Sequence, residues 1–152
     1  MSIKKIIALA SAKGGVGKST LTALSALSLC KHYKVGILDA DIYGPNQHIL
    51  FDIENIKPEI ISKNSKKLFK PISCKGIEIA SMGSIIDSEK AAIWRGPMLS
   101  GAIKQLMTTT DWSDLDILFI DMPPGTGDAY LTVCAEIDLD GVILVSTPNI
   151  LS

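Results

Sequence analysis

Ala12-Lys13-Gly14-Gly15-Val16-Gly17-Lys18-Ser19-Thr20 decides the fold because of what stands on either side of it. Before it, Ile3 to Ala10 is apolar except for Lys4 and Lys5, the composition of a strand buried in a sheet. After it, Lys18 to His32 spaces Leu21, Leu24 and Ser28, with Ala23, Ala26, Leu27 and Cys30 close by, as a helix packed on that sheet would. Tyr33 to Asp39 then reads as a second strand that ends in a carboxylate. A strand, a glycine-rich turn, a helix and a strand make a βαβ unit, whose crossover is nearly always right-handed.

The loop itself carries chemistry. Gly14, Gly15 and Gly17 let the backbone curl so that successive N–H groups converge on an anion. A helix starting near Lys18 adds the positive end of its dipole. The general phosphate-loop pattern is Gly-x4-Gly-Lys-[Ser/Thr], and Gly17-Lys18-Ser19 fills its last three positions, with Ala12 in place of the first glycine. Lys18 is expected to reach β- and γ-phosphates, and the Ser19 hydroxyl to ligate Mg²⁺. The loop Ala12 to Thr20 as a whole is expected to bind the nucleotide. A ligand-free glycine turn is the bland alternative, and the strand before and helix after the loop weigh against it. Lys13, early in the loop, would hold an ammonium near the phosphates; its alternative is a solvated surface lysine.

Further along, Asn55 to Ser73 is rich in Lys, Asn, Ser, Pro and Ile and reads as an excursion with short strands. Lys63, Lys66, Lys67 and Lys70 within it read as a solvated basic face. Gly76 to Met82 alternates as a strand. Ala91 to Thr109 is mostly helical with a break at Gly96-Pro97. Leu115 to Asp121 is a strongly apolar strand ending in a carboxylate, Ala129 to Ile137 a helix, and Asp140 to Thr147 a buried strand. This alternation predicts an α/β domain over 1–152, a mainly parallel sheet flanked by helices. Gly141 to Ser146 is a buried type of strand, and Thr147-Pro148-Asn149 resembles a helix start. The natural domain is therefore expected to continue past Ser152.

In an open sheet of this kind ligands bind beyond the carboxyl ends of the strands, where Asp39, Asp41 and Asp121 fall. Asp121 suits a carboxylate that holds Mg²⁺ through water. Asp41 is the candidate for orienting an attacking water and contacting the Mg²⁺ shell. For Asp39 a structural role and a catalytic one stand level. Pro123-Pro124-Gly125-Thr126-Gly127-Asp128 reads as a mobile loop that senses the γ-phosphate.

Composition is that of an ordinary soluble domain, with 47% hydrophobic and 20% charged residues. A net charge of -1 makes no electrostatic case for nucleic acid or an anionic membrane. No apolar run approaches the roughly 20 residues of a membrane span. Lys4 and Lys5 ahead of an apolar stretch suggest a signal peptide, but cleavage there would destroy the loop, so a cytoplasmic location is expected. Cys30, Cys74 and Cys134 fit neither a disulfide framework nor a zinc or cluster motif. Cys30 and Cys134 read as reduced core cysteines, and Cys74 as a loop residue without an assigned role.

Several strings then carry a family resemblance. Lys13-Gly14-Gly15-Val16-Gly17-Lys18-Ser19-Thr20 resembles the deviant Walker A loop of the superfamily that includes MinD, ParA, the nitrogenase iron protein and the Mrp-type carriers. Asp39-Ala40-Asp41-Ile42-Tyr43-Gly44-Pro45-Asn46, Trp94-Arg95-Gly96-Pro97-Met98 and Asp121-Met122-Pro123-Pro124-Gly125-Thr126-Gly127-Asp128 are similar to segments of Mrp/Nbp-type (ApbC-like) iron–sulfur cluster carriers. Ser146-Thr147-Pro148 also resembles that family, with Asn149 where glutamine is common. The resemblance implies an ATPase of weak intrinsic turnover that dimerises with nucleotide and delivers a [4Fe-4S] cluster to apo-proteins. It implies that Lys13 reaches across the homodimer to the partner's nucleotide, in the manner of an arginine finger. It also implies a Cys-x-x-Cys pair beyond Ser146 as cluster ligands, which this chain lacks. The resemblance implies ATP rather than GTP, and the lack of an Asn-Lys-x-Asp string adds only negative support. The competing reading is a positioning or partition ATPase of the MinD/ParA type acting on a membrane or DNA scaffold, which predicts a C-terminal amphipathic helix or a basic DNA-binding surface. A third is a truncated product without activity.

Overall fold

In the computed structural model, which describes residues 2–41, 44–63, 65–84, 96–125 and 128–148, strands and helices alternate as the apolar pattern requires. β1 (Ile3–Ala10) leads into the glycine loop, α1 (Lys18–Leu29) out of it, and β2 (Val35–Asp39) follows. A single helical turn, α2 (Gln47–Leu50), precedes the hairpin of β3 (Ile60–Lys63) and β4 (Lys66–Phe69). Then come β5 (Ile72–Cys74), β6 (Ile77–Ser81), α3 (Gly96–Thr109), β7 (Leu115–Asp121), α4 (Asp128–Glu136) and β8 (Gly141–Leu144).

Six of these strands form one sheet in the order β5-β6-β2-β7-β1-β8. Neighbours are parallel except β5, which runs antiparallel to β6 at one edge. β7 lies between β1 and β2, so the first crossover skips one strand position. That insertion sets the register of the site: Asp121 stands opposite Leu9 on β1 and opposite Asp39 on β2. The carboxyl ends of the three central strands therefore meet where the glycine loop begins.

Period-two alternation divides the core between the two faces of the sheet. Leu38, Leu118 and Ile120 turn to one face, where Ile103 and Leu106 of α3 and Val133 of α4 cover them. Leu9, Ile37 and Phe119 turn to the other, under Ala23 and Ala26 of α1 with Phe51 and Ile53. Burial of each such side chain contributes about 1.5–3 kcal/mol.

Several expectations need correction. α1 docks through Thr22, Ala23 and Ala26, while Leu21 and Leu24 are exposed. The helix is apolar on most of its circumference, and the small alanines allow the closer approach to the sheet. It ends at Leu29 instead of His32, and β2 begins at Val35, after an exposed Tyr33. The described helix begins at Gly96-Pro97, as proline's fixed φ favours in a first turn; 91–95, on the other side of the expected break, fall outside the described residues. In β8, expected as a buried strand, Val142, Ile143 and Leu144 are exposed, and no described element covers them. Cys134 is exposed and Cys30 half-buried, so neither is a full core cysteine. Cys74 ends β5, and its thiol donates to the Phe51 carbonyl at 3.5 Å.

The lysines at the head of β1 have local partners. Lys4 pairs with Asp116 on β7 at 2.7 Å and Lys5 with Asp140 before β8 at 2.6 Å. Both are exposed surface pairs of small energetic value. In the basic excursion Lys63 pairs with Asp111 and Lys70 with Glu59, and the cluster is solvated as expected. Among the described residues no helix is long and apolar enough to cross a membrane.

Candidate functional site

Gly15 and Gly17 take left-handed φ values of 78° and 92°, where a side chain would be strained. Gly17 is the N-cap of α1, and no side chain caps that end. The leading amides of α1 therefore remain available to an anion, reinforced by the helix dipole. The loop borders a cleft of about 380 Å³ lined by Gly14, Gly15, Gly17, Lys18, Ser19 and Thr20, together with Ser11, Asp41, Asn46, Ile49, Leu50 and Pro124. Of the expected nucleotide-binding stretch, Ala12, Lys13 and Val16 lie outside that lining, and Lys13 is exposed.

Beneath the cleft lies a polar cluster in the sheet interior. Lys18 Nζ donates to Asp121 Oδ1 at 2.5 Å, with Lys18 6% and Asp121 0% exposed. Gln47, fully buried at the start of α2, donates from Nε2 to Asp121 Oδ2 at 2.7 Å and to the Ser19 carbonyl at 3.0 Å. Gln47 thereby ties α2 to the glycine loop and to the end of β7. Among the described residues its Oε1 is buried without a partner, and so is Ser11 Oγ beside the loop. Leaving a buried polar group unmatched costs about 1–3 kcal/mol.

Asp39 makes the contacts that a structural role requires. Its carboxylate accepts from the Gln47 N–H at 3.1 Å, the Ser81 hydroxyl at 3.1 Å and the Asp41 N–H at 3.3 Å. It fastens the ends of β2 and β6 to α2. Burial, and then the nearby negative charge of Asp121, push its carboxyl up to about 7. With the folded value above the unfolded one, Asp39 remains protonated in the native state while the unfolded chain ionises. Its contribution to stability is thus complete below about pH 4 and is lost as pH rises towards 7. Urea unfolding of the ligand-free protein should show stability falling through this window, by at most about 1.4 kcal/mol per pH unit from this group. Asp39→Asn should flatten that slope; an unchanged slope would assign it to other groups.

Asp41 is nearly buried, lines the cleft and accepts from the Gly44 N–H at 3.1 Å. Ile42 and Tyr43 lie outside the described residues, as do Trp94, Arg95, Thr126, Gly127 and Asn149. The start of the loop after β7 is fastened to the glycine loop. Gly125 N–H donates to the Ser11 carbonyl at 3.0 Å, and Gly14 faces Pro124. Tyr130 on α4 adds a second tie: its hydroxyl donates to the Pro123 carbonyl at 2.7 Å and accepts from the Ser11 N–H at 3.2 Å. Gly83 lets Pro45 pack close, since a Cβ there would come within 2.5 Å of the proline ring.

The structure thus brings Lys18, Ser19, Asp41 and Asp121 to one place, and leaves Lys13 on the rim. Sequence reasoning missed Gln47, Ser81 and Tyr130. Only the position of Gln47 directly after Pro45-Asn46 could have pointed to it.

These residues fit a magnesium ion. A serine at the head of α1, Asp41 and the deeper Asp121 offer few, hard oxygen donors, as Mg²⁺ prefers when phosphates and waters complete its shell. The unmatched Gln47 oxygen and Ser11 hydroxyl are further polar groups lacking partners there. Among the described residues no three His, Cys, Asp or Glu side chains converge as an all-protein metal cage.

Over residues 2–152 the sequence matches the family described as ParA, NUBPL iron-transfer P-loop NTPase. It is 50% identical over 150 residues to an iron–sulfur cluster carrier protein of Pseudomonas fragi, covering 97% of this chain and 51% of that protein. It is 44% identical over 148 residues to the iron–sulfur cluster transfer protein NUBPL of Dictyostelium discoideum, covering 97% and 45%. The chain spans about half the length of the curated relatives it matches. Among solved structures, a nucleotide-binding protein of Archaeoglobus fulgidus in complex with ADP superposes with a TM-score of 0.81 at 38% identity, over 99% of this chain and 57% of that one.

Proposed function

This chain belongs to the ParA family of NUBPL-type iron-transfer P-loop NTPases, and from that premise we propose that residues 1–152 are the nucleotide-binding part of an ATP-hydrolysing iron–sulfur cluster carrier. The observation that carries the reading is the buried Lys18–Asp121 pair, set under a glycine loop and an uncapped helix N-terminus. An ammonium and a carboxylate are held together where a phosphate and its counter-ion would separate them.

In this reading the main-chain amides of Gly14 to Thr20 grip the phosphates. Lys18 leaves Asp121 for the β- and γ-phosphate oxygens. Ser19 and, through water, Asp121 would hold Mg²⁺, which would supply positive charge against the phosphates. Asp41 orients the attacking water. Lys13 acts in a homodimer, on the nucleotide of the other subunit. Because Gly125 and Tyr130 fasten the segment after β7 to Ser11, a shift at the γ-phosphate passes to that segment.

The cargo is a [4Fe-4S] cluster for apo iron–sulfur proteins in the cytoplasm. Its thiolate ligands come from outside this chain, whose cysteines are dispersed: Cys30 just after α1, Cys74 at the end of β5 and Cys134 in α4. Isothermal titration with Mg²⁺–ATP tests the first half: saturable binding at this cleft is expected, and no binding would end the reading. Anaerobic reconstitution of the complete protein with iron and sulfide tests the second. A protein that binds ATP yet holds no iron would remove the carrier role.

A further inference from the structure

Gln47 occupies a place that the motifs do not account for. Its Nε2 donates to the Ser19 carbonyl and to Asp121 Oδ2. Both neighbours are acceptors only, so the amide has one sensible orientation, with Nε2 towards them. Its oxygen is then fully buried and has no donor among the described residues. Buried acceptors without a donor are rare in native proteins, and a missing water or ion is among the usual reasons. This one adjoins the two residues that would flank a magnesium ion.

Building on the nucleotide-site reading, we infer that Gln47 is a positioning residue of the magnesium site: Nε2 fixes the Asp121 carboxylate, and Oε1 accepts a hydrogen bond from a metal-bound water. Gln47 does not line the cleft but stands behind Ser19 and Asp121. It therefore touches the hydration shell of the metal and leaves the nucleotide to the loop. Its main-chain N–H is held by Asp39, which keeps the side chain in register with β7. Outer-shell groups of this kind orient inner ligands, and their loss typically weakens metal affinity 10- to 100-fold.

The test uses Gln47→Met, close in length and unbranched, with Mn²⁺ as the metal probe. ADP affinity is measured in EDTA, and Mn²⁺ affinity by electron paramagnetic resonance at saturating ADP. ADP binding without metal should stay within about twofold, while Mn²⁺ binding weakens about tenfold. Unchanged Mn²⁺ affinity would overturn the inference, and so would a parallel loss of both affinities, which would mark a merely structural role. If the wild-type protein bound no ADP under either condition, the nucleotide-site reading itself would fall and this inference with it. A crystal structure of the wild-type protein with Mg²⁺–ADP decides the matter without a variant. A water shared by the metal and Gln47 Oε1 is expected there, and a protein donor on that oxygen would refute the proposal.

Discussion

Lys18→Ala should abolish nucleotide binding, with a loss of at least about a hundredfold in affinity. A hydrogen bond from an ammonium to a charged oxygen contributes about 1.5–3 kcal/mol, and Lys18 is placed to make two such bonds to phosphate. The same substitution should destabilise the ligand-free protein by about 3–5 kcal/mol. It leaves the Asp121 carboxylate buried beside Asp39, with Gln47 as its remaining side-chain partner. The two effects separate in the double variant Lys18→Ala/Asp121→Asn. Removing the stranded charge should recover much of the stability, read by denaturant unfolding, without restoring binding. If either variant bound ATP as the wild type does, Lys18 would not be the phosphate ligand.

Lys13→Ala should do the opposite. Lys13 is exposed, lies outside the cleft lining and makes no hydrogen bond or ion pair with a described residue. Its removal should shift stability by no more than about 0.5 kcal/mol, as at an ordinary surface position. ADP affinity should stay within a few-fold. Hydrolysis, followed in single turnover with labelled γ-phosphate, should fall about a thousandfold, the lower end of what an inserted cation supplies to phosphoryl transfer. The proposed action of Lys13 across a homodimer also gives a complementation test. A Lys13→Ala subunit has an intact pocket, and a Lys18→Ala subunit has an intact Lys13. Mixed dimers should therefore recover turnover that neither variant shows alone. Hydrolysis that is unaffected in Lys13→Ala, or mixtures that stay inactive, would place Lys13 outside the reaction.

How far each residue was legible follows from what determines its position. Gly15 and Gly17 were readable because a left-handed turn is a local event, set by residues adjacent in the chain. The strands β1, β2 and β7 were readable because burial on both faces demands near-continuous apolar runs. The docking face of α1 was not. Leucines and alanines surround that helix, and the sheet selected the alanines because they allow closer approach. Gln47 and Tyr130 carry polar groups whose partners lie 74 and 119 residues away, beyond any local pattern.

The sequence by itself determined the glycine loop, the helix behind it and the two carboxylates at strand ends, because backbone curl and strand burial are properties of short stretches. Only the tertiary structure decided that β7 inserts between β1 and β2. That insertion sets Asp121 across from Asp39, within reach of Lys18 and Gln47. Such contacts join residues far apart in the chain, and their geometry exists only once the sheet has chosen its order and register.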